Sequence, residues 1–343
     1  MPRVSSSTTA LLCLLLLSAP APADDGPADD GKEPLVAGSL EVRVQNPLWL
    51  IFPRLGAAPI DLPPAGRGEV AWRSDYSSFF RVDERQGTDL ASLDGEIWRN
   101  TFAARVGLGR DLALWVEVPI LYGTGGFLDH LVEEYHETFG FDQEGRDENP
   151  DDQFAFLLIH DRRLAFELVE DATEPGDVSV GIDWRLPERG RSGPAVTLRA
   201  AVELPSGDES RGFGSGEVEA GLGVTVHRSW TRYRLTGSLA RQLQRTPEAF
   251  ERAAVETRHN WVADLVLERG FGRNLALVVQ WGYEQSPLLG AALPASDDSS
   301  GTLTLGGAWR PAPRWRIDFA FLEDIDGETT QDFTGHFAVR RSF

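Results

Sequence analysis

Beyond residue 68 the chain returns repeatedly to a period of two, in segments of about ten residues. Between Glu69 and Val82 one parity holds Val70, Trp72, Tyr76, Phe80 and Val82, and the other holds Glu69, Arg73, Asp75 and Arg81. The same separation recurs over 102–108, over 112–122 with Glu117 opposite, and over 178–186 with Asp183 and Arg185 opposite. It continues over 196–204 against Arg199 and Glu203, over 218–226 against Glu217, Glu219 and His227, and over 233–239 against Arg232 and Arg234. The C-terminal third is cleanest, with 261–267 against Asp264 and Glu268, and 275–283 against Gln280 and Glu284. There 303–309 stands against Thr302 and Thr304, 315–321 against Arg316 and Asp318, and 333–339 against His336 and Arg340. Strands of soluble sandwiches run nearer five or six residues, whereas a tilted strand needs about ten to cross a bilayer. Trp98, Tyr122, Trp184, Tyr283, Trp309 and Trp315 fall near segment ends, where an interfacial girdle would stand.

The connections supply an independent argument. They alternate long and short: 83–94 then 109–111, 123–175 then 187–193, 205–214 then 228–231, 244–257 then 270–273, 286–300 then 310–313. Outer-membrane barrels have long external loops and short periplasmic turns, so twelve strands place both termini in the periplasm. The fold expected is all-β, a transmembrane antiparallel β-barrel of about twelve strands, fourteen if a hairpin in 123–174 joins the wall. The last strand ends on Phe343, with Phe333, Phe337 and Val339 on its face, resembling the aromatic-ended strand read by the barrel-assembly machinery. Arg341 interrupts that face and is expected to snorkel to the interface.

The remaining segments are not wall. Arg3, the apolar run 10–17 and Ala21-Pro22-Ala23 read as a signal peptide over 1–23, followed by an acidic, disordered leader over 24–39. Cleavage would remove Cys13, the chain's single cysteine, so neither a disulfide nor a thiolate metal site is available. A net charge of -20 argues against nucleic acid. Residues 40–66 within the barrel domain 40–343 are expected as a periplasmic lead-in or plug. The insertion 123–174 combines an amphipathic helix, with Leu128, Leu131, Val132, Tyr135 and Phe139 at helical spacing, and two alternating runs that read as a hairpin.

Particular stretches carry a resemblance. Arg43-Val44-Gln45-Asn46-Pro47-Leu48, Gly125-Gly126-Phe127-Leu128-Asp129 with His136 and Phe139-Gly140, and Pro175-Gly176-Asp177 resemble an uncharacterised domain-of-unknown-function family of proteobacterial outer-membrane proteins. Glu203-Leu204-Pro205-Ser206-Gly207-Asp208 is similar, less specifically, to outer-membrane transport proteins of phenol meta-degradation. The resemblance implies an outer-membrane barrel and names no substrate.

Parity assigns a charged lumen: Arg73, Asp75, Arg99, Arg105, Glu117, Asp183, Arg185, Arg199, Glu203, Glu217, Glu219, Arg232, Arg234, Asp264, Glu268, Arg316, Asp318, His336 and Arg340. Leu128, Asp129 and His136 mark the insertion as a candidate gate. His130, Glu134 and His136 are the weak candidates for a metal, but their spacing is not H-E-x-x-H and an exposed acidic face explains them equally well. No cofactor is expected. An outer-membrane phospholipase needs Ser and His on adjacent lipid-facing positions, and His259 has no such Ser partner in sequence. The function expected is therefore not enzymatic: a passive channel or uptake barrel for small solutes, hydrophobic ones among them, in the outer membrane beside lipid and lipopolysaccharide. The alternatives are a structural or adhesive barrel whose lumen is closed by charge pairing and, third, a hydrolase.

Overall fold

The computed structural model describes residues 37–139, 152–187, 193–230, 232–291, 293–325 and 331–343. The signal peptide read over 1–23, most of the leader and nearly all of the acidic stretch 142–152 lie outside the described residues. The strands are β1 (Gly68–Arg85), β2 (Asp89–Gly109), β3 (Leu112–Thr124), β4 (Ala155–His160), β5 (Arg163–Leu168), β6 (Ala172–Pro175), β7 (Val178–Arg185), β8 (Ala195–Leu204) and β9 (Glu219–Trp230). They continue as β10 (Tyr233–Leu243), β11 (Glu256–Thr257), β12 (Trp261–Phe271), β13 (Leu275–Glu284), β14 (Leu288–Leu289), β15 (Ser300–Ala312), β16 (Trp315–Asp324) and β17 (Phe333–Ser342).

Among the described residues, twelve of these close an antiparallel ring in the order β1, β17, β16, β15, β13, β12, β10, β9, β8, β7, β3, β2 and back to β1. Closure matters because a bilayer offers no water to an unpaired sheet edge. The β4–β5 hairpin does not enter the ring. β4 pairs with β2 only over Leu90 to Asp94, while β2 meets β3 directly from Glu96 to Gly109, so the wall has twelve strands rather than fourteen. The supposed loop 83–94 is also strand: β1 and β2 remain paired to Arg85 and Asp89 and turn through Gln86 and Gly87, both at positive φ. A two-residue turn of that kind suits the right-handed twist of a hairpin.

The partition of side chains is inverted relative to a soluble domain. Val70, Trp72, Phe102, Leu114, Leu222, Leu277, Leu305 and Phe319 stand exposed on the outer surface, while Arg73, Asp183, Asp264, Asp318 and Arg340 are buried inside. Aromatic residues form two belts. Trp98, Tyr122, Trp261 and Tyr283 lie toward the long loops, and Trp184, Trp309 and Trp315 toward the short turns. Tyr283 stands eight residues along β13 from Leu275, the partner of Trp309. That separation is roughly 26 Å along the strand and about 20 Å along the barrel axis at the usual tilt, close to the height of a barrel's apolar band. Arg341 is exposed and lies 5.4 Å from the Trp315 ring, a cation–π position within the lower belt.

This topology makes the two rims chemically distinguishable. Single cysteines replacing Arg85, Glu248 or Asp298 should react with an impermeant maleimide on intact cells, whereas those replacing Arg273 or Ala312 should not. All five positions are exposed, while Ala295, beside Asp298, is fully enclosed and would report nothing. Labelling of Ala312→Cys with sparing of Asp298→Cys would invert the orientation.

Candidate functional site

Residues 37–66 do not stop at the barrel mouth. They thread the lumen from the short-turn end to the long-loop end and return. On the rising leg, Ala37 N and Gly38 N donate to the Glu268 carboxylate, and Leu40 N donates to Gln280 Oε1 at 3.2 Å. Glu41 then meets Arg340 at 3.0 Å and Arg73, with Arg105 at 3.8 Å. At the top, Gln45 N donates to Gln331 Oε1 and Asn46 Nδ2 to the Ala295 carbonyl. Asn46 turns the chain, its Oδ1 accepting from Leu48 N and its carbonyl from Trp49 N, and the Arg43 guanidinium closes the tip on the Trp49 and Phe52 carbonyls.

The falling leg is held by Arg54 to Asp264 at 2.9 Å and to Glu284 at 3.0 Å, and by Ala58 N to Thr225 Oγ1 at 2.9 Å. It leaves past Gly107, where a Cβ would stand 1.9 Å from the Pro63 carbonyl oxygen, so only glycine admits the returning chain. Pro53, Pro59, Pro63 and Pro64 lack the N–H a strand would need. The legs satisfy their backbone through wall side chains instead, and among the described residues the one β-bridge to the wall is Ala65 with Gly107.

Under the long loops the tip enters an apolar cap. Leu48, Trp49 and Phe52 are fully enclosed with Phe79, Leu93, Phe156, Leu158, Phe166, Phe250, Leu288 and Leu293. Phe52 and Phe250 lie 6.2 Å apart between ring centroids. The residues come from the plug, the extended β1–β2 hairpin, the β4–β5 hairpin and two long loops, so each external segment buries apolar surface that it could not bury alone.

The assigned lumen residues mostly face this plug or one another. Arg73, Asp75, Asp183, Arg199, Glu203, Glu219, Asp264, Glu268, Asp318, His336 and Arg340 are buried; Arg99, Arg105, Glu117, Arg185, Glu217, Arg234 and Arg316 are half-buried. Arg232 departs from the assignment: it lies in the turn before β10, exposed beyond the end of the wall, where parity no longer has a lumen to point into. Asp183 joins Arg199 at 2.9 Å and Arg105 at 3.5 Å, Arg73 joins Glu117 at 2.7 Å, and Asp318 joins Arg316 and Arg340. Asp75 meets His336 Nδ1 at 2.6 Å, and Ser179 donates to Glu203 at 2.7 Å. Glu41, Arg43 and Arg54 are site residues that parity missed. The available signal was Leu40, Val42, Val44, Leu48 and Trp49 ahead of the first wall strand, apolar side chains that need cover.

The insertion is tied to the rim. Leu128 is buried, Asp129 opens the helix Asp129–Phe139 that carries His136, and the Asp129 carboxylate accepts from Asp152 N at 2.7 Å. Glu96 of β2 accepts from Phe127 N and Leu128 N, and Gly126 at φ +80° leaves the space that Glu96 occupies. His130 lies 3.6 Å from Glu134, both mostly exposed, and no group of three potential ligands is placed to hold a metal among the described residues. His259 Nδ1 accepts from Gln244 N.

Two outer-rim carboxylates show how the loops are fastened. Asp89 accepts from Asp161 N, Thr88 Oγ1 and His160, and these contacts, that of Asp161 N foremost, hold its carboxyl below the ordinary value. Asp177 accepts from Gly207 N at 2.7 Å and Ser215 N at 2.8 Å, yet burial pushes its carboxyl up. Asp177 thus joins Pro175-Gly176-Asp177 to the Glu203–Asp208 stretch in space. The plug tip at 43–48 lies in the cap and 125–129 is anchored on Glu96, while Gly140 lies outside the described residues.

Phe337 and Phe343 project outward from β17, and Phe333 packs on Phe321 at 4.7 Å between ring centroids. A twelve-stranded wall with two aromatic belts and a charged interior defines an outer-membrane β-barrel, here stoppered by its own N-terminal segment. The chain belongs to the family described as "Protein of unknown function (DUF3187)", whose model matches residues 36–343. No match to a curated protein is found. Among solved structures, the COG4313 outer membrane channel from Pseudomonas putida F1 aligns over 84% of this chain and 100% of its own, at 12% identity and a TM-score of 0.55. The KdgM porin aligns over 80% of this chain and 99% of its own at 9% identity and 0.42, and the NanC porin over 79% and 98% at 6% and 0.46.

Proposed function

We propose that this protein is an outer-membrane channel for small solutes, hydrophobic ones among them, held shut by its N-terminal hairpin. The observation that carries the reading is that the hairpin adds no strand to the barrel ladder, so it can leave without opening the wall. Its contacts inside the lumen are side-chain hydrogen bonds, ion pairs and two small apolar clusters, Leu40 and Val42 against Val266, Val278 and Leu322, and Leu55 against Trp115 and Ala240, with a cavity of about 70 Å³ left between legs and wall, room for a few waters. The apolar cap, enclosed under the long loops, lies on the path of a hydrophobic solute arriving from outside. Exposed Phe337 and Phe343 support reading of the last strand by the assembly machinery. The dense pairing of Arg73, Asp183, Asp318 and Arg340 supports the second reading, a structural barrel that never opens.

Liposome swelling with graded sugars separates the two. A chain lacking residues 38–62 should admit sugars that the full chain excludes. In the full chain, Ala58→Cys with Thr225→Cys joins plug to wall where N and Oγ1 are 2.9 Å apart, within reach of a disulfide. Oxidation should then abolish whatever permeability the reduced form has. Silence of the deleted chain, correctly folded by heat-modifiable gel mobility, would overturn the channel reading.

A further inference from the structure

At the short-turn end the lumen widens into a cavity of about 490 Å³ lined by seven arginines and by three carboxylates, Glu41, Asp61 and Glu69, in a chain of net charge -20. Three of these arginines are compensated deeper in the cavity: Arg316 and Arg340 by Asp318, Arg340 also by Glu41 and Glu69, and Arg105 by Glu41 and Asp183. The four nearer the mouth, Arg67, Arg234, Arg310 and Arg314, have no carboxylate within ion-pair distance among the described residues. Arg234 donates to Ser229 Oγ at 2.8 Å, while its Nη1 is buried without an acceptor, as is Nη2 of Arg316. Glu268 and Asp61 attract Arg234 from beyond ion-pair distance, yet seven guanidiniums against three carboxylates around one space cost Coulomb repulsion, which a bound anion would reverse. Guanidinium forks match the paired oxygens of carboxylates and phosphates.

We propose that this vestibule is a binding site for an anion bearing two or more phosphate or carboxylate groups, held by Arg234, Arg310 and Arg314. The proposal does not require the lumen to conduct. Two sources offer the same chemistry: a soluble oligoanion, or the head group of an anionic phospholipid, since Trp315 and Phe343 line the cavity and are exposed beside the lower belt.

Calorimetry on the full chain in nanodiscs, with inorganic tripolyphosphate as probe, tests it. In zwitterionic lipid, tripolyphosphate should bind, more weakly as salt rises, and Arg310→Ala with Arg314→Ala should weaken it about tenfold or more. Both positions lie at the end of β15 and in the turn after it, so the wall should survive, as gel mobility will check. In discs enriched in cardiolipin, whose head group carries two phosphates, loss of tripolyphosphate binding identifies the lipid head group as occupant, and undiminished binding a soluble anion. No binding in zwitterionic discs, or equal binding by the double variant, overturns the proposal.

Discussion

Replacing Trp49 with alanine should loosen the plug by about 3–5 kcal/mol, the usual loss on truncating a buried tryptophan. Trp49 is 0% exposed at the plug tip, and its indole N–H has no acceptor, so the loss is one of packing rather than hydrogen bonding. The twelve wall strands do not contain Trp49, and their ladder does not pass through it. The change should therefore appear as release of the tip from the cap before it appears as unfolding of the barrel. Protease cleavage within 43–54 should accelerate by about two to three and a half orders of magnitude, at the exchange of about 1.4 kcal/mol per decade. Heat-modifiable mobility should stay that of a folded barrel. Unchanged protection of the plug would mean that the cap does not hold it.

Glu41→Gln should produce the next largest effect, through charge. Glu41 lies between Arg340 and Arg73 with its side chain 15% exposed, and those guanidiniums are 6% and 4% exposed. Removing one partner of a buried pair typically costs about 3–5 kcal/mol because the survivor is stranded. Here Arg73 keeps Glu117 and Arg340 keeps Asp318, so the loss should fall nearer about 2 kcal/mol, roughly thirtyfold in plug release. The readouts separate the two variants: the Trp49 defect leaves the rising leg paired, whereas the Glu41 defect frees it and should expose residues 37–44 to proteolysis first. Protection of that leg equal to the unaltered chain would show that its hold lies in the backbone contacts to Glu268 and Gln280 instead.

How much of this was legible in sequence follows from where each residue's solvent lies. Val70, Trp72, Phe102, Leu277 and Phe319 announce the wall because lipid on one side and a polar interior on the other impose a strict period of two. The same parity found Arg73, Asp183, Asp318 and Arg340 as interior charges. It failed at Arg232, where the strand had already ended, and over 83–94, where polar Asp83, Arg85 and Asp89 belong to strands that continue beyond the membrane. The hairpin at 155–168 read correctly as a hairpin, yet its pairing with β2 above the ring was not visible, because a local alternation does not state its neighbour.

The sequence by itself determined the class of fold, an interfacial girdle, most of the alternation of loops and turns, and most of the wall charges that face inward, since all of these follow from patterns a few residues long. What only the tertiary structure decided is the state of the lumen. Residues 37–66 alternate only briefly, over 40–45, and five prolines, Pro47, Pro53, Pro59, Pro63 and Pro64, deny them a place in the ladder. Their partners lie far away in sequence, Arg54 with Glu284 and Asn46 with Ala295, and are near in space only once the ring has closed. A barrel wall is legible because its contacts repeat; a plug is held by contacts that occur once, and those exist only after folding has brought both sides together.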